Sequence, residues 1–148
     1  MDSQQPQSVV VDGTNLLAGR LSSNVAKLLL QGNHVTVVNC EKILISGSRR
    51  NIIQNYKDFL SISSILHPEH GPYHPRRPDT IIARMIRGML PRKKPSGTAA
   101  LRRLRTYVGV PSGLGASKKT SFDNAKITRP QANYTSMSDL AQEVGWSR

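Results

Sequence analysis

The 148-residue chain contains one cysteine, Cys40, which excludes an intrachain disulfide and a multi-cysteine zinc site. Acidic residues are scarce, with nine Asp and Glu against 21 Lys and Arg, for a formal net charge of +12. Aromatic side chains make up 5%, too few for a row of rings stacking along a single nucleic-acid strand. No apolar run approaches the roughly 18 residues of a membrane span. Met1 to Pro6 contain neither a basic nor an apolar stretch, so no secretory signal is expected.

What is present suffices for a modest core. Leu, Ile, Val and Phe number 36 of 148 residues, about a quarter and above the roughly 20% that marks disordered chains. The length suits one domain with a tail. The charge is concentrated. Residues 1–40 are balanced, with two basic and two acidic groups, whereas residues 41–105 hold 14 basic and four acidic groups. Within residues 76–105 stand eight Arg and two Lys against a single acid, Asp79. Ten unpaired cations in 30 residues repel one another, so a polyanionic partner is expected. Arginine suits that partner because its planar fork matches phosphate bidentately and stacks on bases.

The pattern of apolar residues predicts the elements. Val9-Val10-Val11 reads as a short strand buried on both faces. Gly13-Thr14-Asn15 is a turn, and Leu17, Leu21, Val25, Leu28 and Leu29 share one helix face that Gly32-Asn33 ends. Val35 to Asn39 completes a βαβ unit. Residues 41–47 predict a turn and a third extended piece, and Ser46 or Ser48 caps a helix with Ile52, Ile53, Tyr56, Phe59 and Leu60 on one face. Four prolines in residues 66–78 make that segment a loop. Asp79 is the expected cap of a helix with the stripe Ile81, Ile82, Met85, Ile86 and Met89, stopped by Pro91; Thr98 is the expected cap of a short helix through Leu104. Tyr107 to Val110 reads as the last strand. Beyond Pro111, Leu, Ile, Val and Phe fall to five in 38 residues, which predicts an extended tail with one short helix at Ser138–Val144, ended by Gly145 and anchored by Trp146. The expected organisation is an N-terminal extension at 1–7, an α/β domain at 8–110 and a C-terminal tail at 111–148.

Several motifs admit both a chemical and a structural reading. The strand–Gly–helix stretch from Val11 to Arg20 has the shape of a phosphate loop but lacks Gly-Lys-[Ser/Thr] and the Gly-x-Gly-x-x-Gly spacing, so a plain turn is favoured. His67, His70 and His74 share a loop with Glu69, but His34 is the one other histidine. An RNA-contacting loop, with Tyr73 or His74 on a base or the backbone, is favoured there over metal ligation or acid–base work. Cys40 is read as a small buried residue, and Asp12, Asp58 and Asp79 as caps or structural pairs. No catalytic constellation stands out, and neither metal nor cofactor is expected. The candidate RNA-binding residues are Arg49, Arg50, Tyr73, His74, Arg76, Arg77, Arg84, Arg87, Arg92, Lys93, Lys94, Arg102, Arg103 and Arg105. Their scatter over helix starts, loops and exposed faces fits structured RNA read through phosphates and shape.

Five stretches, in order, carry a family resemblance: Val10-Val11-Asp12 with Leu17-Ala18-Gly19-Arg20-Leu21; Val37-Val38-Asn39-Cys40-Glu41-Lys42-Ile43 with Ser46-Gly47; Gly71-Pro72-Tyr73-His74; Arg87-Gly88-Met89-Leu90-Pro91; and Ala100-Leu101-Arg102-Arg103-Leu104 with Tyr107-Val108-Gly109-Val110-Pro111. Over residues 8–111 the chain resembles the universal large-subunit ribosomal protein family number thirteen. Gly-Pro-Tyr-His and Leu140 to Trp146 resemble its eukaryotic branch. The resemblance implies a three-layer α/β/α fold around a small four-stranded parallel sheet, and a non-enzymatic role in binding large-subunit ribosomal RNA. It also implies neighbouring ribosomal proteins as partners, no membrane and no small-molecule substrate, and a cytosolic ribosome assembled in the nucleolus. Gly88 would admit close approach to its helix, and Arg84, Arg87, Arg92, Lys93 and Lys94 would clamp phosphates. Eukaryotic members continue past the Gly-Trp element with a long basic helix, so this chain, ending at Arg148, is expected to be a shortened member. A free regulatory RNA-binding module is the alternative, with an RNA-processing enzyme using the His67–His74 loop behind it.

Overall fold

A computed structural model describes residues 5–147; residues 1–4 of the expected N-terminal extension lie outside them, as does Arg148. The centre of the fold is β1 (Ser8–Asp12), whose Val10 and Val11 are buried. It pairs in parallel on both sides. On one side lies β2 (His34–Val38), in register from Ser8 opposite His34 to Asp12 opposite Val38. On the other lies a later strand, Lys119–Thr120. Val10 and Val11 point to opposite faces of the sheet and both are buried, so the strand is covered on both faces there, which explains its uninterrupted valines. Between β1 and β2 runs α1 (Ala18–Leu30), whose Leu21, Val25 and Leu29 are fully buried. The helix stops where Gly32 takes φ 97°. There the amides of Gly32 and Asn33 donate to the carbonyls of Leu29 and Leu28, closing a Schellman turn.

The expected third extended piece forms as a turn of 3-10 helix at Cys40–Lys42 followed by β3 (Leu44–Ser46). It does not join the parallel sheet. Asn39 turns the chain in the left-handed region, at φ 56°, and its side chain donates to Asp12 at 3.0 Å. Next come α2 (Arg49–Ser61), capped by Ser48 as one of the two expected serines, then α3 (Pro78–Gly88) and α4 (Pro95–Arg102). Asp79 and Thr98 are not the caps of α3 and α4; Arg77 and Lys94 occupy those positions. Pro78 and Pro95 sit at the first helical residue, where the missing amide costs nothing and the fixed φ suits the helix. Each helix therefore begins earlier than its polar residue suggests. Of the apolar stripe on α3, Ile81, Ile82 and Ile86 are buried, whereas Met89, past the helix end, is 45% exposed.

The strand after α4 is β4 (Leu104–Thr106), paired with β2, and not Tyr107–Val110. Ladder-like bonding nevertheless continues, since Tyr107 donates to Val37 and its carbonyl accepts from Cys40. Gly109, at φ 71°, then turns the chain away, with its amide held by Glu41 at 2.8 Å. The segment after Pro111 supplies β5 (Lys119–Thr120), β6 (Tyr134–Ser136) and α5 (Met137–Glu143). The parallel sheet thus has the order β4-β2-β1-β5, and β6 pairs antiparallel with β3. Ala125, Met137, Leu140 and Val144 join the same hydrophobic core as α1 and α3. The tail is apolar only at these anchor points, which is why its composition reads as thin. α5 ends at Gly145 in a second Schellman turn, with Trp146 half-buried beyond it.

Three outcomes are expected from this packing. Ile82→Ala, at a fully buried position, is expected to lower stability by about 2–5 kcal/mol in urea unfolding; an unmoved midpoint would remove α3 from the core. A Cβ on Gly97 would stand 2.2 Å from the Pro91 carbonyl oxygen. Gly97→Ala is therefore expected to cost roughly 1–3 kcal/mol, although alanine is the better helix former. Burial pushes the Cys40 thiol up to about 12, with the Tyr107 backbone bond opposing and the Asp79 and Glu41 charges adding. Because the thiolate is the nucleophile, iodoacetamide at pH 8 should leave the native protein unmodified and add one label in denaturant; mass spectrometry reads both.

Candidate nucleic-acid interface

The basic surface is built by the junction of α3 and α4. Leu90 plugs into the core, and Gly97, lacking a side chain, lets the start of α4 rest on the Pro91 backbone. This folds the Arg92-Lys93-Lys94 loop outward, fully exposed, beside Arg87 on the last turn of α3. One helical turn earlier, Arg84 places its guanidinium carbon over the Phe59 ring of α2, 4.6 Å from its centre, and donates to the Tyr73 carbonyl. That bond fastens the Pro-rich loop to α3. Between loop and helix opens a cleft of about 530 Å³, lined by Gly71, Tyr73, Arg84, Arg87, Gly88 and Arg92. A smaller hollow runs on from Arg87 and Arg92 to Thr98 and Leu101 of α4.

The sequence candidates divide by what their side chains already hold. Arg50, Arg87, Arg92, Lys93, Lys94 and Arg102 are exposed and make no ion pair among the described residues. Arg105 is exposed and bonds the nearby carbonyls of Leu104 and Arg102. Tyr73 projects its ring into solvent, 74% exposed. Others serve the fold. Arg103 donates to the Leu29 carbonyl at 2.7 Å, and Arg76 to the Val144 carbonyl. Both place a cation at a helix C-terminus, where orphaned carbonyls and the dipole favour it. Arg49 pairs with Glu143 at 2.6 Å and Arg77 with Asp79 at 2.9 Å. The His74 ring meets Phe59 edge-on at 4.7 Å, and its Nε2 lies 2.6 Å from the Ile62 carbonyl. His74 is thus a packing residue within the loop and does not stand beside Tyr73 as an open ring.

Phe59 escapes sequence reasoning as a site residue. Periodicity assigns it to the apolar face of α2, and nothing local shows that a guanidinium 25 positions later lies on its ring. Tyr56 supports the same corner by donating to the Pro75 carbonyl. Burial pushes its hydroxyl up, against the drawing effect of Arg84 and Arg76.

Other motifs resolve into scaffold. At the Val11–Arg20 turn, a Cβ on Gly13 would meet Ile43 at 2.7 Å. The start of α1 faces the tail, where the Leu17 amide donates to Ala125 and Arg20 to Asn124. Asp12 accepts from Thr14 and Asn39. Partial burial raises its carboxyl, but these bonds and the Lys119 charge outweigh it and hold Asp12 below its ordinary value. His67 and His70 lie ring to ring at 5.6 Å, and no three His, Cys, Asp or Glu converge among the described residues.

A family model described as Ribosomal protein L13 matches residues 6–112. The chain is 41% identical over 137 residues to a large ribosomal subunit protein uL13 of Methanococcoides burtonii, covering 92% of this chain and 96% of that one. It is 40% identical over 143 residues to the uL13 of Aeropyrum pernix, covering 96% and 92%. Against the uL13 of Caenorhabditis elegans it is 39% identical over 142 residues, covering 95% of this chain and 70% of the nematode protein. Identities this even do not assign the chain to the archaeal or the eukaryotic branch. With the family model spanning residues 6–112 and relatives aligned along nearly the whole chain, the protein belongs to the ribosomal protein L13 family.

Proposed function

We propose that this chain is a structural, non-enzymatic constituent of the large ribosomal subunit that binds and stabilises folded large-subunit ribosomal RNA during assembly and translation. One observation carries the reading. Arg87, Arg92, Lys93 and Lys94 are all exposed with no acidic partner among the described residues, on a helix junction fixed by Leu90 and Gly97. Cations held apart on a rigid edge lose little on meeting phosphates and release the counterions of folded RNA when they do. Arg50, Arg84, Arg102 and Arg105 extend the same chemistry to either side. Arg76, Arg103 and His74 contribute by holding the body that presents them, whereas Arg49 and Arg77, each exposed beside its carboxylate, add basic groups at the surface. Tyr73 is the aromatic contact.

Neighbouring ribosomal proteins of the large subunit are the further partners of this reading. Its location is the cytosolic ribosome, with nucleolar assembly in a eukaryotic cell. The test is sedimentation of lysate through a sucrose gradient in high salt. Co-migration with the large subunit is expected; material confined to the top of the gradient would sink the proposal in favour of a free RNA-binding module. At residue level, replacing Arg92, Lys93 and Lys94 together by Ala is expected to leave the melting temperature unchanged, since all three are exposed. It should weaken RNA binding and flatten the salt dependence by about 0.7–0.9 for each phosphate no longer neutralised. An unchanged slope would mean that the loop touches no phosphate.

A further inference from the structure

We propose that the cleft between the Gly71–Tyr73 turn and the end of α3 holds one unpaired nucleotide of the bound RNA, its base on Tyr73 and its phosphates on Arg84, Arg87 and Arg92. This rests on the RNA-binding reading and gives that reading a chemical address. The cleft of about 530 Å³ falls within the roughly 300–1,000 Å³ typical of small-ligand sites. Three of its lining side chains are guanidinium groups and none is a carboxylate, so it selects an anion.

The site is organised before any ligand arrives. Arg84 is held by the Phe59 face and the Tyr73 carbonyl; a guanidinium has five donors, and the others stay available. The turn that carries Tyr73 is equally constrained, with Gly71 seated so closely that a Cβ would meet the Pro68 carbonyl at 3.2 Å and the Ser64 amide at 3.3 Å. In a chain with seven aromatic residues, a 74% exposed ring beside three arginines has no role in the core. One ring receives one base, and only a base out of its helical stack offers a free face. A duplex alone would not use it.

Gly88 fits the same cleft. A Cβ there would meet nothing within 4 Å, and its backbone does not take a positive φ. Neither packing nor conformation requires glycine, although glycine is a poor helix former. What the missing side chain leaves open is the cleft that Gly88 lines. The bare backbone there leaves room for a ligand to approach the helix closely.

The experiment compares binding of the full chain to two short RNA hairpins, each closed by a non-nucleotide linker so that the loop offers no base, by fluorescence anisotropy. One carries a single bulged fluorescent purine analogue; the other has the same stem fully paired. The bulged hairpin is expected to bind about tenfold more tightly, as one base–aromatic stack allows, with its fluorescence quenched. Tyr73→Ala and Gly88→Leu should each abolish that preference, Tyr73→Phe should retain it, and Gly88→Leu should not lower the melting temperature. Equal binding of the two hairpins by the natural chain, or a preference that survives Gly88→Leu, overturns the pocket and leaves the RNA reading standing. If Gly88→Leu does not fold, Tyr73→Ala, at an exposed ring, decides in its place. Binding to neither hairpin overturns both readings. Displacement of the bulged hairpin by micromolar uridine monophosphate would assign the cleft to a free nucleotide and overturn the proposal as well.

Discussion

A chain of net charge +12 with nine carboxylates cannot neutralise its arginines by ion pairing. Its fold depends on where the guanidinium groups go instead. Among the described residues two arginines reach a carboxylate, Arg49 and Arg77. Five donate to main-chain carbonyls: Arg20 to Asn124, Arg76 to Val144, Arg84 to Tyr73, Arg103 to Leu29 and Arg105 to Leu104. A carbonyl offers no net charge, so such a bond satisfies donors without cancelling the cation. The body can then be held by arginines and still present a strongly positive field to a polyanion.

These bonds also decide how distant segments meet. Arg76 joins the Pro-rich loop to the end of α5, and Arg20 joins α1 to the tail at Asn124. Arg103 joins β4's approach to the end of α1. In each case the acceptor lies far along the chain, and the sheet alone does not fix the distance. The buried valines of β1 and β2 give the parallel centre, and the arginines tie the less apolar periphery to it. Substituting Arg76 would leave the part-buried Val144 carbonyl without this donor, a cost distinct from any weakening of RNA binding.

The central βαβ unit was legible because its information is local: a valine run, a 3.6-residue stripe and glycines at helix ends. The family and its sheet were legible from ordered motifs. Errors arose where local chemistry was ambiguous. Asp79 and Thr98 look like caps, yet Pro78 and Pro95 start their helices, because a proline reads equally as a breaker or as a first helical residue. β5 has two residues, both exposed, and no apolar alternation to betray it. At the interface, composition identified the basic block but could not sort it. Whether an arginine is free or committed depends on a carbonyl 68 positions away, as for Arg76, or 74 positions away, as for Arg103. The Phe59 platform under Arg84 is long-range in the same sense.

Two glycines in adjacent helices show what three-dimensional placement adds to such a reading. Gly97 and Gly88 are alike in sequence terms: each lies in a helix, next to the basic loop. A side chain at Gly97 would collide with the Pro91 backbone, so that glycine is explained by the protein itself. A side chain at Gly88 would enter open space, so that glycine is not. A fold selected for stability alone would favour alanine at the second position and reject it at the first. The residue that packing does not constrain borders the cleft lined by three arginines and an exposed tyrosine ring, and its missing side chain keeps that cleft open.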